Sequence, residues 1–124
     1  MRRRGFTLIE LMVVMAVIAV LLTIAVPRYF SHVERSKEAV LRQNLNQMRE
    51  AIDKFHADKG KYPAALGELV ERRYLRALPV DPVTDSDATW VLVPPPAASG
   101  LTGVYDVRSG ADGLASSGQR FGDL

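Results

Sequence analysis

The stretch that decides the fold is Phe6–Pro27, FTLIELMVVMAVIAVLLTIAVP. Apart from Thr7, Glu10 and Thr23, it is apolar up to its closing proline. As an α-helix rising about 1.5 Å per residue, Phe6–Val26 would be about 30 Å long, the thickness of a bilayer's hydrocarbon core. Arg2, Arg3 and Arg4 precede it. Positive residues beside a span stay cytoplasmic, so everything after Val26 is expected on the outer side of the membrane. Glu10 does not belong in such a segment. A carboxylate at the centre of a span costs about 2.5–3.5 kcal/mol on insertion scales, less near the interface, and charges in spans are usually paired.

Three readings of this stretch compete. A cleaved secretory signal fits the basic start, but the apolar run is long, and TIAVPRYF offers no small-x-small cleavage site. A plain signal anchor accounts for length and orientation but leaves Glu10 unexplained. Cleavage after Gly5 supplies the missing partner. Phe6 then becomes a new amino terminus four residues from Glu10, and amine and carboxylate can neutralise each other within a chain or between neighbours.

The whole segment, RRRGFTLIELMVVMAVIAVLLTIAVP, resembles the class III signal of type IV pilins and of the pseudopilins of type II secretion. The resemblance implies cleavage after Gly5 by a prepilin peptidase and N-methylation of Phe6. It also implies that the apolar helices, Pro27 included, bundle at the centre of a filament. Glu10 would there pair with the amino terminus of a neighbouring Phe6. Buried charges specify registration better than they add net stability, so Glu10 would act as a register lock.

Pro27 lacks an N–H and clashes with the carbonyl four residues back. Yet RYFSHVERSKEAVLRQNLNQMREAIDKFHADKG resumes helical patterning. A continuous helix, kinked or locally melted near Pro27, is therefore expected. Leu41, Leu45, Met48, Ile52 and Phe55 form an apolar stripe, with Val33 before it. The opposite face, including Glu34, Glu38, Arg42, Arg49 and Asp53, reads as solvated. His32 and His56 read as surface residues, without a metal-ligand partner at i+4. Two heptads are too few for a coiled coil, so the stripe is expected to pack on the chain's own C-terminal part. Gly60 and Pro63 in ADKGKYP stop the helix.

Beyond it, PAALGELVERRYL reads as a short helix with Leu66, Leu69, Val70 and Tyr74 inward. TWVLVPPP and VYDVRS read as strands, and RALPVDPVTDSDA and the glycine- and serine-rich tail as loops. The expected fold is α+β: a long N-terminal helix kinked near Pro27, carrying a small antiparallel sheet. The expected divisions are a leader (1–5), an apolar helix (6–27), an amphipathic helix (28–60) and a globular region (61–124).

This later part also resembles the major pseudopilins of type II secretion, through DKGKYP, LGELV, YLRALPVDPVT and YDVRSGADG. The chain has no cysteine, so the disulfide that usually closes this region in type IVa pilins is impossible. The resemblance implies one bound Ca²⁺, with Asp112 and Asp123 as carboxylate ligands. Ser109, Ser116, Ser117 and backbone carbonyls are further oxygen donors within reach of a six- to eight-coordinate ion. The alternative is that both aspartates are turn residues. DPVTDSDA lacks the glycine and distal glutamate of a calcium-binding EF-hand and reads as a loop.

The sequence pI of about 9.2 reflects the leader. Without Arg2, Arg3 and Arg4, Lys and Arg fall from 16 to 13 against 14 Asp and Glu, a net charge of −1. No basic patch interleaved with aromatics supports nucleic-acid binding. No nucleophile elbow, phosphate loop or metal triad supports an enzyme. The reading is a structural subunit of a type II secretion pseudopilus, in the inner membrane and then in a periplasmic filament. Its expected partners are itself, prepilin peptidase, minor pseudopilins, the inner-membrane assembly platform and, before assembly, the lipid bilayer. The alternative is a type IV or competence pilus subunit; a membrane-anchored periplasmic enzyme is a more distant one.

Overall fold

The computed structural model describes Gly5 and residues 7–124. Phe6, the expected new terminus, and the leader arginines lie outside the described residues. Helix α1 runs Leu8–Lys59 and is helical through Pro27, so the locally melted alternative is not what forms. The chain divides into two compact units, one ending at Glu34 and one comprising Arg35–Leu124.

In the first unit every residue from Leu8 to Val26 is exposed. Its side chains are apolar on all sides, which leaves the segment without a core-facing stripe. It is long and apolar enough to cross a membrane. Thr23, the polar residue near its end, donates its hydroxyl to the carbonyls of Ala19 (2.9 Å) and Val20 (2.7 Å).

In the second unit the predicted stripe is the core. Leu41, Leu45, Met48, Ile52 and Phe55 are buried, joined by Ala51. They pack with Leu66 and Leu69 of helix α2 (Leu66–Glu71), with Leu75, Trp90 and Val104, and with Val107. The Trp90 indole N–H is satisfied by the Pro79 carbonyl at 2.8 Å, as a buried indole requires. Gly60 ends α1 as expected. It takes a left-handed conformation (φ 70°) and donates its N–H to the His56 carbonyl at 2.8 Å.

Helix α2 is shorter than the sequence suggests. Arg73 adopts φ 64°, and the N–H groups of Tyr74 and Leu75 both turn back to the Leu69 carbonyl. A left-handed arginine costs on the order of 1–2 kcal/mol. The turn lets Leu75 enter the core, which continued helix would not. Strands β1 (Val91–Val93) and β2 (Asp106–Arg108) pair antiparallel, with Leu92 opposite Val107. Three prolines cut β1 short. The tail is more ordered than a plain loop. Leu114 bridges to Arg120, and Phe121–Asp123 makes a 3₁₀ turn.

Candidate assembly site and the anchored tail

Thr7 and Glu10 close the start of α1 on each other. The Thr7 hydroxyl oxygen accepts the Glu10 N–H at 3.2 Å, and Glu10 Oε2 accepts the Thr7 N–H at 3.4 Å. The first helical N–H groups have no partners within a helix, and this reciprocal capping box satisfies two of them. A carboxylate here also meets the positive end of the helix dipole. Glu10 is thus a capping residue as well as a charge in an apolar run. Thr7-x-x-Glu10 is a capping signature legible in the sequence, and it joins Thr7 to Glu10 at the candidate site. Each carboxylate oxygen has two acceptor directions, so a capped Glu10 still has room for an ammonium group.

The carboxylates near the tail serve different ends. Asp112 and Asp123 are both exposed, and both line one open cleft together with Gly113, Gly122 and Arg120. The structure therefore brings the two expected calcium ligands to one place. The remaining donors are fewer than the sequence offers. Ser109 donates its hydroxyl to Asp81 Oδ2 at 2.5 Å, and Ser116 donates both its N–H and its hydroxyl to Glu38. The Asp123 carbonyl accepts from Gln119. Among the described residues no third acidic or histidine side chain joins the pair. Asp112 and Asp123 are the acidic side chains lining the cleft, and Arg120 shares it.

Three protein contacts, made by Asp81, Arg49 and Glu38, hold residues 106–124 in place. Asp81, in the stretch read as a plain loop, is fully buried. Its Oδ1 accepts the N–H groups of Val83 (2.8 Å) and Thr84 (3.4 Å), while Oδ2 holds Ser109. Those donors replace the water lost on burial. Arg49, expected to be solvated, bonds Asp106 at 2.8 Å, the Val107 carbonyl at 3.0 Å and the Leu124 backbone oxygen at 2.9 Å. One guanidinium thus ties α1, β2 and the end of the tail together.

Glu38 is the third anchor. The hydrogen bonds from the Ser116 hydroxyl and N–H hold its carboxyl below the usual carboxylate range. His56 is not a free surface residue either. Its ring stacks on Tyr62 at 4.1 Å, and Nδ1 is buried. The partners of Glu38 and Arg49, and Ser109 as partner of Asp81, lie too far along the chain for local pattern to reveal.

Residues 1–26 match the family described as the prokaryotic N-terminal methylation motif. The type II secretion system core protein G of Pseudomonas aeruginosa is 31% identical over 144 aligned positions, covering 100% of this chain and 96% of that protein. The core protein G of Escherichia coli (strain K12) is 32% identical over 129, covering 90% and 84%. The type IV major pilin protein PilA of Myxococcus xanthus is 40% identical over 68, but that match spans 55% of this chain and 31% of the pilin. No solved structure matches. A methylation motif over the apolar helix, followed by end-to-end similarity through the anchored tail, places the chain in the type II secretion system core protein G family.

Proposed function

We propose that this chain is the structural subunit of a type II secretion pseudopilus, a filament built by its own N-terminal helices. The observation that carries this reading is end-to-end similarity to core protein G, joined to a helix start whose one carboxylate stays open to an amine. In this reading prepilin peptidase cuts after Gly5 and methylates Phe6. The helix lodges in the inner membrane with residues 35–124 in the periplasm. Subunits then leave the bilayer for the filament, where Glu10 meets the amino terminus of a neighbour's Phe6. Minor pseudopilins and the assembly platform act on the same helix. The role is structural, with no catalytic step.

The local 40% identity to a type IV pilin favours a second reading, a subunit of a surface pilus. Imaging the filaments formed in cells separates the two. Short periplasmic filaments made alongside secretion support the first reading, and long surface fibres the second. Within either reading, Glu10→Ala should give a processed, membrane-inserted subunit that polymerises at least tenfold less. Normal filaments from that variant would remove Glu10 from assembly.

The same reading carries one Ca²⁺. Asp112 and Asp123 would hold it through their carboxylates, and the ion would cross-link residues 111–114 to residues 120–123. Binding to the folded state alone raises stability by mass action. The full chain in micelles should therefore melt several degrees higher in calcium than in chelator. That difference should vanish in Asp112→Ala. Equal melting of the unaltered chain in both conditions excludes the ion.

A further inference from the structure

We propose that Arg28, Tyr29 and Phe30 form an interfacial collar in the unassembled subunit, seated in the lipid headgroups, and that this collar sets the depth of Glu10. The inference rests on reading Leu8–Val26 as membrane-spanning and goes beyond it by fixing where the span sits.

Three observations point to the collar. Successive helix residues are about 100° apart, so three in a row cover most of the circumference. All three are exposed, Tyr29 by 66% and Phe30 by 60%. A partner docking on one side would ask for residues on one face. A medium surrounding the helix asks for a ring, and the residue types match it. Aromatic side chains favour the headgroup layer, where one end is apolar and the other wet. Arg28 has no carboxylate partner among the described residues and would find one in lipid phosphate.

Backbone chemistry points to the same depth. Pro27 lies inside α1 and has no N–H, so the Thr23 carbonyl loses its usual helical donor. Such a group costs several kcal/mol in hydrocarbon but little within reach of interfacial water. Thr23 lies one turn from the collar, and a boundary near Pro27 meets that condition.

The far end then follows from helix geometry. Glu10 stands 18 residues from Arg28, or about 27 Å along the axis, within one turn of the hydrocarbon thickness. With the collar at one boundary, Glu10 and its capping partner Thr7 lie at the other. The carboxylate is therefore hydrated and capped before assembly, and is desolvated only when the helix enters a filament.

The chain has no cysteine, so single cysteines can map the boundaries directly. The full chain would be reconstituted at low density into phosphatidylcholine and phosphatidylglycerol vesicles, with a membrane-impermeant maleimide on both faces. Leu8→Cys, Ser31→Cys and Glu34→Cys should label at least tenfold faster than Met15→Cys, Ile18→Cys and Leu22→Cys. Adding Tyr29→Ala and Phe30→Ala should shift the protected window and raise labelling of Val26→Cys several-fold. Protection of Leu8→Cys would place Glu10 in hydrocarbon and overturn the depth assignment. An unchanged window in the double-alanine chain would overturn the collar. Fast labelling at all six positions would instead overturn the spanning reading itself.

Discussion

One helix, α1, presents two kinds of apolar surface. From Leu8 to Val26 the side chains are exposed on every side, with Val17 at 52% and Ile18 at 46%. From Leu41 to Phe55 apolar side chains of similar size are sealed, with Leu45 at 1% and Ile52 at 0%. The apolar side chains themselves are alike; what separates the two stretches is what lies between them. The first is apolar all round and finds no cover within its own unit. The second alternates with charge, so it can bury one face under α2, Trp90 and β2 while the other stays wet. The first stretch must be covered from outside, by lipid or by other copies, whereas the second is covered by its own chain.

The sharpest way to break that comparison is to remove the same kind of side chain from each stretch. Leu45→Ala or Ile52→Ala should destabilise residues 35–124 by about 2–5 kcal/mol, because a sealed site cannot collapse around the cavity. Val17→Ala or Leu21→Ala should leave that unit within about 0.5 kcal/mol of the unaltered chain. Trp90 is the only tryptophan and sits in the core. Its fluorescence during denaturant unfolding therefore reports the second unit alone. Equal losses from both stretches would mean that they share one core.

Next in size is Asp81→Ala. It strands the Val83 N–H and the Ser109 hydroxyl in a buried site, and a buried polar group left unpaired costs about 1–3 kcal/mol. The same denaturation experiment reads the loss. Asp81→Asn should recover part of it, since the amide oxygen can still accept from the backbone. Arg49→Leu should be milder, about 1 kcal/mol, because its pair with Asp106 is only part-buried at 31% and 30% exposure. Its clearer sign should be local. Amide exchange at residues 114–124 should accelerate well before the core opens. Unchanged exchange there would show that the guanidinium does not hold the tail.

These anchors mark the limit of what the sequence makes legible. The stripe, the Gly60 stop and the two strands are written in spacings of two to four residues, so local pattern reveals them. Glu38 and Arg49 sit on the charged side of that stripe, where solvation is the ordinary expectation. Their partners lie 57 to 78 residues away, and only the folded chain brings them close. Asp81 looks like any turn aspartate until its burial is seen. The candidate assembly site divides in the same way. A carboxylate in an apolar run is enough to raise the expectation that Glu10 pairs with an amine. Its capping bond to Thr7 spans three residues and is equally local.

The smallest expected effect, and the one most selective for the second stretch, is the pH dependence of Glu38. Its folded pKa is depressed, chiefly by the Ser116 hydroxyl and then by the Ser116 N–H. A depressed carboxylate contributes stability above its unfolded pKa, near ~4.3, and loses that contribution as pH falls through the lower folded value. The unaltered chain should therefore out-melt Glu38→Gln by a constant margin at neutral pH, with the margin shrinking from about pH 4 downward. Because the carboxylate is near the surface, the margin should be small and should depend on Ser116. In a Ser116→Ala background it should shrink at neutral pH, since the hydroxyl bond is the largest cause of the shift. A margin that grew on acidification would mean that the protonated form is the one holding the tail. A margin indifferent to that substitution would place the cause in the Ser116 N–H, which alanine keeps, and in the neighbouring charges of Arg42 and Arg35.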